Sequence, residues 1–205
     1  ELVKRYSNLV YSIAFQILKN DSDTEDAVQD TFISLKIYAN QYDPAQNLRP
    51  WLSRVAANQA IRIYNRRKNN NNKESNWMKT KTVTEASQKL DVAAISEKNE
   101  VQILVRKAID SLPETSRVAL TLYFGGEMNQ TEIANELGLS QFSISEKIKL
   151  GLEKVKAFLK KSGVHASIIV SPQLIKESIV NYSTPNALLL KLSHHLPSAS
   201  HIEKV

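Results

Sequence analysis

The chain has 205 residues, 42% hydrophobic and 23% charged, and its 27 Lys and Arg against 21 Asp and Glu leave a net charge of +6. That length suits one large domain or two small ones, each with a modest core. The absence of cysteine excludes a disulfide framework, a thiolate zinc site and a cysteine nucleophile. No run of eighteen apolar residues and no signal-peptide pattern occurs, so the expectation is a soluble cytoplasmic chain without a membrane segment. It starts on Glu1 rather than Met, which fits a piece of something longer.

Helical period dominates. Leu2, Val3, Tyr6, Leu9, Val10, Ile13, Ala14 and Ile17 recur at three- and four-residue spacing and predict a first helix with one buried stripe. After the polar break Asn20–Thr24, Ser22 with Glu25 forms a candidate capping box for a second helix reaching about Ala39. Tyr42-Asp43-Pro44 and Arg49-Pro50 bracket a loop, and Pro50 suits the first turn of a third helix over about 50–68. Asn69 to Asn72 open a polar stretch that reads as linker to residue 96, with a short helix near 85–95. A second helical unit follows over 97–162, punctuated by Pro113, Gly125-Gly126 and Gly138. Residues 163–205 form a tail in which Ser171-Pro172 and Thr184-Pro185 each resemble a cap and first-turn proline. The strongest strand signal is only Ile168-Ile169-Val170. The expected class is all-α: two small helical domains (1–68 and 97–162), a flexible linker (69–96) and a short helical tail (163–205).

The charge is not spread evenly. Residues 62–81 carry seven bases and one acid, and residues 140–162 carry six and two, while 82–139 has a net charge of −4. Two basic blocks in an otherwise neutral to acidic chain are the usual footprint of a polyanion-binding protein. On the second helix, Asp26, Gln29, Asp30 and Ile33 share one face, opposite Val28, Phe32, Leu35 and Ala39. An acidic front with one apolar residue and a packed back suits a basic protein partner, although acids also favour any first helical turn. On the third helix, Leu52, Ala56, Ala60 and Ile63 form the buried stripe. Trp51, Arg54, Asn58, Arg62, Asn65 and Arg66 gather on another side. Arg contacts phosphate, Asn contacts base edges and an aromatic ring stacks on an unpaired base, a set suited to single-strand capture.

Gln130 to Lys149 has the pattern of a helix-turn-helix. Ile133, Ala134 and Leu137 make a short first helix, Gly138 supplies the left-handed turn, Ser140 caps, and Ile144 and Ile148 bury the second helix. By elimination its exposed side is Gln141, Phe142, Ser143, Ser145, Glu146, Lys147 and Lys149, the side that would face a DNA groove. Other readings remain at this point: a free-standing helix-turn-helix regulator, or a helical adaptor whose basic blocks are solvated faces. An enzyme fits least, because His165, His194, His195 and His201 all lie in the tail without metal-ligand spacing or a nucleophile pattern, so no catalytic residue, metal site or cofactor is expected.

The order of these features resembles an extracytoplasmic-function (ECF) sigma factor of the sigma-70 family over residues 1 to about 161. Asp23-Thr-Glu-Asp-Ala-Val-Gln-Asp-Thr-Phe32 is similar to region 2.2, and Arg49-Pro-Trp-Leu-Ser-Arg-Val-Ala-Ala-Asn58 to the junction of regions 2.3 and 2.4. Leu112-Pro-Glu-Thr-Ser-Arg117 and Glu132-Ile-Ala-Asn-Glu-Leu-Gly-Leu-Ser140 are similar to region 4. The resemblance implies a transcription initiation factor that binds core RNA polymerase and promoter DNA. Asp26, Gln29, Asp30 and Ile33 would meet the β′ clamp helices. Trp51, Arg54, Asn58, Arg62 and Arg66, with the loop 42–49, would hold the melted −10 element. Gln141, Ser143, Ser145, Glu146, Lys147 and Lys149 would read the −35 element. It also implies the β flap as a second polymerase contact and an anti-sigma factor as a further partner. The recognition helix departs from the family's Arg-rich pattern: Ile144-Ser-Glu-Lys-Ile-Lys-Leu-Gly-Leu152 keeps Lys147 and Lys149 and adds Glu146. Lysine does not replace arginine's bidentate fork on guanine, so the −35 sequence read should be unusual or weakly bound. Arg62 stands where Asp is common.

Overall fold

The computed structural model describes residues 2–38, 47–74, 97–164, 171–180 and 182–195, leaving aside the side chains of 70–74, 97–99, 194 and 195. Ala39, the loop positions 42–46, the short helix expected near 85–95, the Ile168–Val170 run, His165 and His201 lie outside the described residues. Among the described residues all regular structure is helical, as expected. The helices are α1 (Leu2–Leu18), α2 (Asp21–Tyr38), α3 (Leu48–Glu74), α4 (Glu97–Asp110), α5 (Glu114–Leu120), α6 (Gln130–Leu137), α7 (Gln141–Lys161), α8 (Pro172–Ile179) and α9 (Asn186–His195), and a π-helical turn (Thr121–Gly125) extends α5.

Helices α1–α3 pack on one another as a first unit, and α4–α7 as a second. The predicted stripe of α1 is buried from Leu9 onward, but so is every other residue from Leu9 to Leu18. A helix covered on all sides needs a second wall. Here α3 and α2 supply one, and α5, the π-helical turn, α8 and α9 supply the other. The two units and the tail consequently share one contiguous apolar core, where separate small cores were expected. Ser12 and Gln16, polar residues off the stripe, are thereby buried; the Gln16 side-chain amide has no hydrogen-bond partner, a desolvation cost.

Three local expectations shift. The α2 cap is Asn20, whose Oδ1 accepts from the Asp23 N–H at 2.9 Å; Ser22 already lies inside the first turn, so a Ser22–Glu25 box does not form. Helix α3 starts at Leu48 and runs to Glu74, so Arg49-Pro50 sit in its first turn and the first six residues read as linker continue it. No Gly or Pro interrupts residues 69–74, and asparagine weakens a helix only by tenths of a kcal/mol per residue. In the tail, Ser171 caps α8 with Pro172 at its first position, as expected. Thr184 does not cap α9: its backbone N–H donates to Asn8 Oδ1 instead, and its hydroxyl is buried without a partner. The tail helices bury Ile175, Ile179, Leu188 and Leu192, each worth about 1.5–3 kcal/mol relative to exposure.

Candidate nucleic-acid interface and docking face

Helix α2 divides as its spacing predicts. Ala27, Val28, Thr31, Phe32 and Leu35 are buried, while Asp26 and Asp30 are exposed, Gln29 is half-buried and Ile33 is 50% exposed. Ile37 and Tyr38 extend the exposed apolar surface by one turn. The front of α2 is therefore an acidic patch ending in uncovered apolar side chains. Two flanking acids are already engaged within the chain: Asp23 pairs with Arg67 at 2.9 Å, and Glu25 with Lys191 of α9 at 3.0 Å.

Helix α3 buries the predicted Leu52, Ala56, Ala60 and Ile63, and also Ser53, Ala57, Ile61 and Tyr64. Its breadth of burial follows from small residues that let α1, α2 and the second unit approach together. Trp51 is half-buried and packs against the core. Asn58, Arg62 and Arg66 are exposed, with Arg62 donating to Gln59 Oε1 at 2.8 Å. The same side is partly engaged by the second unit. Arg54 makes an ion pair with Glu132 at 3.2 Å and reaches the Glu127 carbonyl, and Asn65 donates to the Glu136 carbonyl at 2.9 Å. The candidate set on α3 thus shares a face, but not one open surface.

The helix-turn-helix forms as its residues predict. Asn129 and Glu132 exchange reciprocal bonds of 2.9 and 2.8 Å, a capping box at the start of α6. Gly138 takes φ +63° between the helices, a conformation that costs any residue with a Cβ. Ser140 Oγ accepts from the Ser143 N–H and starts α7. Ile144 and Ile148 are buried, while Gln141 and Lys149 are exposed and Ser143, Ser145, Glu146 and Lys147 are half-buried. Phe142, 77% exposed, is the most uncovered large apolar residue among those described.

Sequence reasoning missed the residues that join the units. Lys19, at the end of α1, donates to Asp110 Oδ1 at 2.7 Å and to the Tyr182 hydroxyl at 3.2 Å. Burial, only partly offset by Asp110, pulls its ammonium down to about 8. Burial also pushes the Tyr182 phenol well above its ordinary value, reinforced by Asp110. Arg117 is buried and donates to the Gln16 carbonyl; burial lowers its pKa, opposed by Glu114 and Asp110. An arginine inside an apolar helix was the available signal, but its partner lies about a hundred residues away. Among the described residues no cluster of three His, Asp or Glu could hold a metal, and no helix is long and apolar enough to cross a membrane.

Residues 2–70 match sigma-70 region 2 and residues 108–157 match sigma-70 region 4. The chain is 26% identical over 167 residues to the ECF RNA polymerase sigma factor SigM of Bacillus subtilis (strain 168), covering 78% of this chain and 94% of SigM. It is 25% identical over 169 residues to the ECF sigma factor SigE of Mycolicibacterium smegmatis, covering 78% of this chain and 61% of SigE. It is also similar to the sigma factor RpoE solved in complex with the anti-sigma factor NepR from Bartonella quintana, with 16% identity, a TM-score of 0.48, and coverage of 78% of this chain and 96% of that one. A free-standing helix-turn-helix regulator would have no use for region 2. With both sigma regions present, in order, the chain belongs to the ECF sigma factors of the sigma-70 family, the transcription initiation factors that bring core RNA polymerase to promoter DNA.

Proposed function

We propose that the acidic front of α2 is the primary contact with core polymerase, with Asp26, Gln29, Asp30 and Ile33 meeting the β′ clamp helices. The observation that carries this is the combination on one helix of an exposed acidic patch, uncovered apolar residues and a fully packed back. Such a patch steers a basic partner by charge and holds it by apolar burial. Trp51, Arg54, Asn58, Arg62 and Arg66 then hold bases of the melted −10 strand. Gln141, Ser143, Ser145, Glu146, Lys147 and Lys149 face the −35 duplex, with region 4 on the β flap. The work is binding and strand trapping without catalysis, performed in the cytoplasm, and an anti-sigma factor would compete for these faces.

The closed arrangement has a geometric consequence. The −10 and −35 elements lie about 25 base pairs apart, or ~85 Å at 3.4 Å per step. Helix α7, with 21 residues, is only ~32 Å long, and α3 touches α6 directly. The two reading helices cannot occupy both elements until the units separate. The test of the docking assignment is Asp26→Lys: we expect loss of core-polymerase pull-down with helicity retained, and normal retention overturns it.

A further inference from the structure

We infer that the surface formed by α1, α4 and the π-helical turn is a docking site for the chain's own tail, and that α8 and α9 act there as a clasp holding the two sigma regions closed. This rests on the polymerase-docking reading above only for its functional consequence.

The family matches end at residue 157, so neither reaches α8 or α9, yet the tail has a packed structure of its own making. It touches both regions at once. Helix α8 packs on α4 and the π-helical turn, and α9 on α1 and α2. Tyr182, between them, ties the regions through one residue: it exchanges backbone bonds of 2.9 and 3.1 Å with the Ser12 hydroxyl of α1, while its own hydroxyl donates to Asp110 of α4 at 3.0 Å.

Two further observations show the closed state to be built rather than incidental. Gly125 and Gly126 mark close approaches. A Cβ on Gly125 would meet Ile179 of α8 at 3.0 Å, and one on Gly126 would meet Ala57 of α3 at 3.0 Å, so side chains are missing where the tail and region 2 press on the π-helical turn. Among the described residues, the non-glycine positions at positive φ are Lys19 (49°) and Glu127 (55°). Glycine would be the unstrained choice at both. Each instead carries a charged side chain to the tail, Lys19 to Tyr182 and Glu127 to Lys176 of α8. Backbone strain kept at the two tail-contacting corners is explained if the contacts themselves matter.

With the clasp in place, region 4 stays against α3, and only one of the two polymerase contacts can form. Its release lets the second contact form as an intramolecular event, so engagement becomes bivalent and affinity rises. The absence of native cysteine permits a direct test by dipolar spectroscopy between spin labels on Lys36→Cys of α2 and Lys154→Cys of α7, both exposed. The closed chain should give one narrow, short distance. Ile179→Asp in the full chain should broaden and lengthen it and raise affinity for bacterial core RNA polymerase by about tenfold. Lys176→Glu should do so partially, and Lys176→Glu with Glu127→Lys should restore the parent distance. A short distance that persists in Ile179→Asp with helicity retained overturns the clasp, as does a lengthened distance with unchanged or weaker polymerase binding. If Ile179→Asp loses its helicity, the charge-swap pair decides: no lengthening by Lys176→Glu, or no restoration by the swap, equally overturns it. No polymerase binding by the parent or any variant sinks the docking reading instead, and the distances still decide whether the tail clasps.

Discussion

The front of α2 and the basic side of α3 were legible in the sequence on the same grounds, a packed back and a polar front, yet the closed molecule treats them differently. Asp26, Asp30 and Ile33 face outward, and Lys191 of the tail pairs with the neighbouring Glu25. Arg54 and Asn65 are instead bonded to region 4 through Glu132 and the Glu136 carbonyl. On the proposed roles, the α2 face offered to polymerase is open in this state, whereas the α3 face offered to the melted strand is partly held. A helix wheel identifies a functional face; it does not say which distant segment covers it. Under that proposal, polymerase contact precedes full exposure of the −10 face.

The sharpest way to break this comparison is to disable each face separately. Asp26→Lys combined with Asp30→Lys should weaken core-polymerase binding by about 100-fold or more, the scale of reversing desolvated charges at an interface. Asn58→Ala should leave that binding within twofold while slowing open-complex formation, measured by permanganate footprinting of the melted strand. Identical loss of polymerase binding in both would show that the faces are not separable.

A second test asks whether the regions stand or fall together. Ile13 lies in the middle of α1, fully buried in the shared core. Ile13→Ala should cost about 2–5 kcal/mol and lower the melting temperature by roughly 10 °C, with one transition for the whole chain. Two separated transitions would mean that the regions fold independently. A smaller effect belongs to the seam between Gly126 and Ala57. Gly126→Ala, whose Cβ would also lie 2.9 Å from the Leu122 carbonyl oxygen, should destabilise the closed form by about 1–3 kcal/mol. Adding Ala57→Gly should recover part of that loss in a double-mutant cycle read by denaturant melts.

Much of the fold was readable because its rules are local. The stripes of α2 and α7, the Gly138 turn, the Ser140 cap and the Ser171-Pro172 start each depend on residues within a turn or two of one another. What escaped was set by distant partners. The all-round burial of α1 from Leu9 to Leu18 follows from α5, α8 and α9, elements about a hundred residues or more away, and the stripe pattern cannot announce a second wall. The burial of Arg117 and Lys19 is likewise set by Gln16, Asp110 and Tyr182, which close around them from far along the chain. The α2 cap moved because Asn20 and Ser22 are both good caps, and only the register of the buried face chooses between them.

The pH dependence of stability is the effect most specific to the closed state. Lys19 holds its proton to about pH 8 when folded and to its ordinary 10.5 when unfolded. Below about pH 8 both states carry the charge, and the full burial penalty opposes folding. Between 8 and 10.5 the unfolded chain binds a proton that the folded chain has shed, so this group makes stability rise with pH, at most ~1.4 kcal/mol per unit. Tyr182 acts oppositely. Its folded pKa is raised, so the stability it contributes is complete below pH 10 and declines above it, as the unfolded phenol ionises first. Urea melts should therefore show stability climbing from pH 8 toward 10 and levelling or falling beyond. Lys19→Gln, which keeps a hydrogen-bond donor for Asp110 and Tyr182 without the titrating charge, should flatten the climb and leave the decline. An unchanged climb in that variant would mean that Lys19 is hydrated where the closed junction buries it, and the contrast between a sealed junction and an open α2 front would lose its main titratable marker.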